Sequence, residues 1–211
     1  MKLYYAPGAC SMAAHITLNE SGVPFTAVRV DLRSHRLPDG TDYYALNPHG
    51  YVPLLELDGG ERLTEVAVIL QYVADRHPGT LAPAFGTLER YRLMEWLNFI
   101  ATEIHKGLGP LWKPATPDAY KATVLETVGK RFDHVARVLA DQPYLTGDTF
   151  GIADAYLFTI VNWHHFLKFP LTSWPALERF QARVAARPAV KATLRAEHLL
   201  QDTDATTAAD A

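Results

Sequence analysis

The chain has one cysteine, Cys10, set in Pro7-Gly8-Ala9-Cys10-Ser11 between a strand-like run and a run with helical spacing. A residue at a helix N-terminus meets backbone N–H groups with no partner inside the helix, and the helix dipole adds to their pull on an anion. A thiolate is stabilised there. The expectation is therefore a thiol whose pKa falls below its ordinary value of about 8.5 and which serves as a nucleophile at neutral pH. Gly8 and Ala9 leave the approach to the sulfur open. The opposing reading is a small buried hydrophobe, the commoner fate of a lone cysteine. Ser11 either donates to the thiolate or caps the helix.

A second stretch with chemistry lies near the middle of the chain. Leu93, Leu97, Ile100, Ile104 and Leu108 fall on one side of a helix, which makes that side core. Asn98, Thr102 and His105 lie opposite, with Lys106 nearby, and form either a solvated face or a ligand-facing one. Trp112, Tyr156, Trp163, His164 and His165 offer material for an apolar pocket, although aromatics at helical spacing usually belong to the core. No metal is expected: His164-His165 lacks ligand spacing, no His-Glu-x-x-His motif occurs, and one cysteine makes no thiolate zinc site.

The elements that would position these residues change character along the chain. Leu3–Tyr5, Phe25–Val30, Val52–Leu57 and Arg62-Leu63 read as strands, the last after a Gly59-Gly60 turn. Ser11–Ser21 and Glu65–Arg76 read as helices between them. The order predicts a small mixed sheet with helices packed on it, over residues 1–77. A Pro/Gly/Ala-rich linker, 78–87, follows. Residues 88–201 carry helical patterns only, at 88–112, 118–140, 152–168, 174–186 and 189–199, broken near Pro114, Pro117, Pro143, Pro170 and Pro188. Residues 202–211 lack large apolar side chains and read as a disordered tail.

Composition narrows the partners. At 48% hydrophobic and 20% charged, the 211 residues suit an ordinary globular protein. With a net charge of −3 and no basic stripe, nucleic acid is not an expected partner. No apolar run approaches membrane-spanning length and no cleavable leader is visible, so the expectation is a cytoplasmic protein without membrane contact.

Three motifs carry a resemblance. Met1–Ser11, then Asn47-Pro48-His49-Gly50-Tyr51-Val52-Pro53 and Leu63-Thr64-Glu65, resemble the N-terminal thioredoxin-like domain of the bacterial beta-class glutathione transferases. Glu95–Glu103 and Ile152-Ala153-Asp154-Ala155-Tyr156 continue the likeness through the helical half, so that it spans the chain up to the tail. The resemblance implies an α/β thioredoxin-like domain with a four-stranded mixed sheet, an all-α second domain, a homodimer, and glutathione as cosubstrate with no permanent cofactor. It implies detoxifying conjugation of glutathione to small apolar electrophiles, with thiol-disulfide exchange through Cys10. The rival readings are a ligand-sequestering binding protein and a glutathione-dependent reductive dehalogenase.

The site residues implied by the resemblance follow the motifs. Cys10 and His105 are the catalytic pair, with Ser11 and Tyr5 as support for the thiolate. Val52, before a cis Pro53, pairs its backbone with the peptide-like middle of glutathione. The helix start at Glu65-Val66 takes the γ-glutamyl carboxylate on its N–H groups and the ammonium on the Glu65 carboxylate; Glu65 alone equally suits its own helix dipole. Many relatives have Ser after this acid, whereas Val66 offers only its backbone. His35 replaces a common Lys for the glycine carboxylate, which makes the positive charge there pH-dependent. Asn98, Thr102 and Lys106 approach glutathione, in part from the partner subunit. Asp154 belongs to a folding motif in which its carboxylate reaches back to a backbone N–H, with Gly151 at the cap where relatives have Ser or Thr.

Overall fold

The structure, a computed structural model, describes residues 1–200; the tail expected at 202–211 lies outside the described residues. It begins with strand β1 (Lys2–Tyr5), helix α1 (Met12–Ser21) and strand β2 (Thr26–Arg29). A 3₁₀ turn at Tyr43–Ala45 precedes β3 (Leu54–Glu56), β4 (Arg62–Leu63) and α2 (Val66–Asp75). The strand order is β2-β1-β3-β4, with β1 and β2 parallel and the other two pairs antiparallel. β1 is central, so its side chains are covered on both faces, which explains the unbroken Leu3-Tyr4-Tyr5 run. Alternation splits that run: Leu3 and Tyr5 join the main core with α1 and α2, while Tyr4 packs with Val30, Tyr43, Val52 and Leu54 on the other face.

Only helices follow among the described residues: α3 (Leu88–Phe99), a π-helical run Ile100–His105, α4 (Lys106–Leu108), a 3₁₀ turn Gly109–Trp112, α5 (Asp118–Asp141), α6 (Ile152–Val161), α7 (His164–Leu167), α8 (Pro175–Ala185) and α9 (Pro188–Ala196). α1 packs on α6 and α9, and α2 on α6, so one apolar core runs from the sheet into the helices. Two ion pairs stitch the halves. The buried Arg90 of α3 grips Asp75 at 2.8 and 2.9 Å, and Arg187 grips Glu20 at 2.6 and 2.9 Å. Both are fork-shaped contacts, the geometry in which Arg–carboxylate pairs are strongest. No described helix is long and apolar enough to cross a membrane.

Three expected elements differ in detail. The strand expected at 52–57 is confined to Leu54–Glu56, with the cis Val52–Pro53 peptide just before it. The helix expected over 88–112 passes through the π-helical run and ends as a 3₁₀ turn where Pro110 lacks an N–H. The helix expected over 152–168 breaks at Asn162-Trp163, where the Trp163 indole turns to donate to the Gly8 carbonyl at 2.8 Å.

α6 is buried along its whole length, so its first turn needs internal partners for its N–H groups. The Leu81 carbonyl takes the Ile152 N–H at 3.0 Å, and the Asp154 carboxylate accepts from the cap residue Gly151 N–H at 2.9 Å and from Leu145 N–H, in the loop before the helix, at 2.8 Å. Burial pushes this carboxyl up to about 7, against the opposing pull of the two N–H donors and of Arg187. Asp154→Ala leaves both donors unpaired in the core, at about 1–3 kcal/mol for each. The expected result is a marked fall in Tm, corresponding to roughly 2–4 kcal/mol at the melting temperature, with the affinity for small ligands of the native state kept; a melting curve superimposing on the wild type contradicts this role.

Candidate active site

β1 hands the chain to α1 through Ala6–Ser11, and that turn is fixed from several sides. Ser11 Oγ accepts from Ala6 N–H at 3.1 Å and donates to Ala6 C=O at 3.2 Å. Gly8 N–H donates to Glu197 Oε2 at 2.8 Å, while the other Glu197 oxygen meets His15 Nδ1 at 2.9 Å. Gly8 C=O accepts from Trp163 Nε1. Gly8 sits at φ +69, a conformation that favours glycine, with the Phe166 ring packed close, 3.1 Å from where a Cβ would stand. The turn thus presents Cys10 to a cavity of about 750 Å³ between the sheet-side loops and the helical half.

Cys10 lies at the floor of this cavity, partly open to it, and its Sγ–H donates to the Val52 carbonyl at 3.2 Å. The expected lowering of its pKa is not what the structure gives. Burial pushes the thiol up to about 12, opposed by the N–H groups of Cys10 and Ser11 and reinforced by the Glu65 charge. The helix-end field is present but desolvation outweighs it. Cys10 is therefore a neutral thiol in the ligand-free protein. Two supporting roles expected from the sequence also change. Ser11 is fully buried and its hydroxyl is committed to Ala6, so it is neither a side-chain cap for α1 nor a donor to the sulfur. Tyr5 faces the core, 5.2 Å from the His15 ring between centroids, and does not line the cavity.

The other walls gather most of the remaining candidates. Val52, Pro53, Glu65 and Val66 all line the cavity. Glu65 precedes α2 at φ +66, and its side chain makes no capping bond, leaving it exposed at the helix start. His35, at φ +52, lies against Tyr44 with ring centroids 4.5 Å apart, and its Nδ1 is buried without a hydrogen-bond partner. Gly50 makes room for that ring: a Cβ there would stand 2.9 Å from His35 Nδ1 and 2.7 Å from Tyr44. Positive φ costs a non-glycine residue about 1–3 kcal/mol and recurs where side chains serve a ligand. Two such residues face this one cavity.

His105 enters from the π-helical run together with Ala101, and Lys106, the first residue of α4, lines the same wall. π turns carry extra residues per turn and are frequent at functional sites. This one separates residues that a regular helix would keep on one stripe: His105 lines the cavity, whereas Asn98 and Thr102 stay on the exposed face and do not. The Thr102 hydroxyl donates to the Asn98 carbonyl at 3.0 Å instead. His105 Nδ1 lies 2.7 Å from the Tyr156 hydroxyl, and its ring packs edge-on to Trp163 at 5.0 Å. Burial, helped by Lys106, pushes its pKa down to about 4, so the imidazole is neutral at pH 7.

Trp112, Tyr156, Trp163 and Phe166 form the apolar wall. Sequence reasoning singled out the first three as pocket material and missed Phe166, for which no local signal existed; the break after α6 brings it round. His164 and His165 lie with ring centroids 3.8 Å apart, tilted by 39°, and do not line this cavity. No group of three His, Cys, Asp or Glu side chains among the described residues is placed to hold a metal. One cavity thus combines a zwitterion-matching end at Glu65 and the α2 N-terminus, a polar backbone edge at Val52, a sulfur site at Cys10 and His105, and an aromatic wall.

Comparison with known proteins reaches both halves of the chain. Residues 8–76 match the family model of the glutathione S-transferase N-terminal domain, and residues 99–188 that of the C-terminal domain. Glutathione S-transferase GstA of Escherichia coli O157:H7 is 49% identical over 201 residues, 94% of this chain and 100% of that one. The solved ternary complex of BphK, a bacterial glutathione S-transferase, superimposes with a TM-score of 0.92 at 50% identity, over 94% of this chain and all of that one. The beta-class glutathione S-transferase of Sphingomonas chungbukensis superimposes at 0.91 with 42% identity, over 95% and 100%.

A thiol held near pKa 12 has a thiolate fraction that rises about tenfold per pH unit through the neutral and mildly alkaline range. Alkylation of Cys10 by iodoacetamide in the ligand-free protein is therefore expected to accelerate about tenfold per unit from pH 7 to pH 9 with no plateau. A rate already levelling off below pH 8 contradicts the neutral-thiol assignment.

Proposed function

The chain belongs to the glutathione S-transferase family, beside its bacterial beta-class members, and from that premise we propose that it conjugates glutathione to small apolar electrophiles with the ligand sulfur seated against Cys10. The observation that carries the reading is the Cys10 thiol itself: a neutral S–H donor at the floor of the cavity, bonded to Val52 when no ligand is present. Turned to glutathione, that S–H donates to the glutathione thiolate and lowers the cost of forming it. The thiolate attacks the electrophilic carbon, a carbon–sulfur bond forms, the leaving group departs with the electron pair, and the proton lost by glutathione goes to solvent.

Binding follows the walls. The α2 N-terminus takes the γ-glutamyl carboxylate and Glu65 the ammonium; the Val52 backbone edge pairs with the peptide; His35, on the same cavity wall, faces the glycine carboxylate. The electrophile lies on Trp112, Tyr156, Trp163 and Phe166. The reading includes a homodimer. Leu88, Tyr91 and Met94 are exposed on α3, the helix that also carries Asn98 and leads into Thr102, so a second copy packed there covers apolar surface and turns these polar groups toward the shared cleft. It also includes a boundary at 78–87 between a glutathione-binding unit and a helical unit, and a cytoplasmic setting.

The N–H groups of Cys10 and Ser11 aimed at the sulfur favour a second, slower activity. After losing its proton, Cys10 attacks a glutathione mixed disulfide, taking the glutathionyl sulfur and expelling the other half as a thiol. Free glutathione then attacks Cys10–S–SG, releasing oxidised glutathione and restoring Cys10. No second cysteine is needed.

Intact-mass measurement after incubation with oxidised glutathione, paired with assays on a conjugation and a disulfide substrate, tests both branches. Wild type is expected to gain one glutathione, faster at higher pH, and Cys10→Ala none. In the variant, disulfide turnover disappears and conjugation falls about tenfold or more, the effect of losing one hydrogen bond to a charged sulfur. An adduct-free wild type together with full conjugation by Cys10→Ala contradicts the assignment and leaves Cys10 a packing residue.

A further inference from the structure

Tyr156 is a tyrosine inside a helix that is buried from end to end, with 2% of its surface exposed. Its hydroxyl makes one hydrogen bond among the described residues, to His105 Nδ1 at 2.7 Å. That contact has two possible polarities, and they lead to different chemistry at the sulfur. With the imidazole proton on Nδ1, the ring donates to the phenol oxygen, and the phenol proton is left in the interior with no acceptor among the described residues. With the proton on Nε2, the phenol donates to Nδ1 and both groups are satisfied. A buried hydroxyl without an acceptor is the costlier arrangement, so the second polarity prevails.

His105 Nε2 has no protein partner among the described residues, and it is absent from the buried unpartnered atoms, so it opens on the cavity that His105 lines. The ring is held in that attitude by edge-on packing against Tyr156 (centroids 5.8 Å, 85°) and Trp163 (5.0 Å, 76°). Both members stay uncharged at pH 7: burial and Lys106 keep the imidazole neutral, and burial together with the Glu65 charge raises the phenol above its ordinary value.

We propose that Tyr156 is the positioning residue that fixes His105 as an Nε2–H donor aimed into the cavity, so that His105 stabilises a glutathione thiolate by donating to it and does not act as a base. The proposal rests on the reading that the glutathione sulfur lies beside Cys10. The thiolate then receives two neutral donors, Cys10 S–H and His105 Nε2–H, and neither gives up its proton in the conjugation step. Tyr156 never touches the sulfur; it acts through the tautomer.

The tautomer is measurable without turnover. In the full-length protein labelled with ¹⁵N-histidine, long-range ¹H–¹⁵N correlation spectra at pH 7 report which ring nitrogen of His105 is protonated, with the resonance assigned by its loss in His105→Gln. Wild type is expected to show a protonated Nε2 and an Nδ1 in the hydrogen-bond-acceptor range. In Tyr156→Phe, which fills the same volume, the tautomers are expected to mix, and kcat for conjugation to fall about tenfold while KM for glutathione changes less than about twofold. A wild-type His105 protonated on Nδ1 overturns the proposal, as does a Tyr156→Phe variant in which either the tautomer or kcat is unchanged. The wild-type spectrum decides the polarity even if the variant folds poorly. Failure of the underlying reading looks different: His105→Gln would then conjugate at the wild-type rate, whatever the spectrum shows.

Discussion

The turn at Gly8 is the constraint on which the site depends. Its N–H and its C=O are both bonded to the helical half, to Glu197 and to the Trp163 indole, while Ser11 closes the same turn onto Ala6. A backbone segment held at both polar ends by buried partners has little freedom, and Cys10 two residues on inherits that rigidity. Glu197 also engages His15 of α1, so the strand-to-helix turn, the first helix and the end of the last helix form one buried polar cluster. The sheet supplies the turn and the helices supply its anchors; the sulfur site exists only where the two are docked.

The electrostatics of the cavity divide in the same way. Around the sulfur the groups are neutral, with the thiol pushed up to about 12 and the imidazole down to about 4 by burial. At the far walls the groups are exposed or strained: Glu65 at a helix start and His35 with an unpartnered nitrogen, both at positive φ. In the proposed function a zwitterionic peptide is held by its charged ends at those walls, while its sulfur meets preorganised neutral donors. Such donors stabilise developing negative charge without being reorganised during the reaction. A permanently ionised Cys10 would repel a second thiolate at the same spot.

Much of this was legible in the sequence, and what was missed has definite causes. The four strands and the helical second half were readable because strand runs and helix starts are local signals, whereas the meeting of Cys10, Val52, Glu65, Val66 and His105 at one cavity came only from the family resemblance, since no local spacing brings His105 to Cys10. The pKa direction at Cys10 was not readable, because it depends on desolvation by the tertiary packing around the sulfur, which no local pattern reveals. The separation of His105 from Asn98 and Thr102 was hidden by the π-helical run, which a 3.6-residue periodicity cannot represent. The fates of Ser11 and Tyr5 were set by long-range packing, the former by its two bonds to Ala6 and the latter by the alternation of β1 that turns it to His15. Phe166 entered the wall because the helix breaks at Asn162-Trp163 before it, a break with no local sequence signal.

The central claim is a place for one atom: the sulfur of glutathione, beside Cys10 and within reach of His105. A crystal structure of the protein with reduced glutathione tests it most directly. The account predicts the ligand sulfur within hydrogen-bond reach of Cys10 Sγ, the γ-glutamyl group at the α2 N-terminus by Glu65, and the Cys10 S–H no longer bonded to the Val52 carbonyl. Glutathione bound with its sulfur turned away from Cys10, or seated outside this cavity, would contradict it.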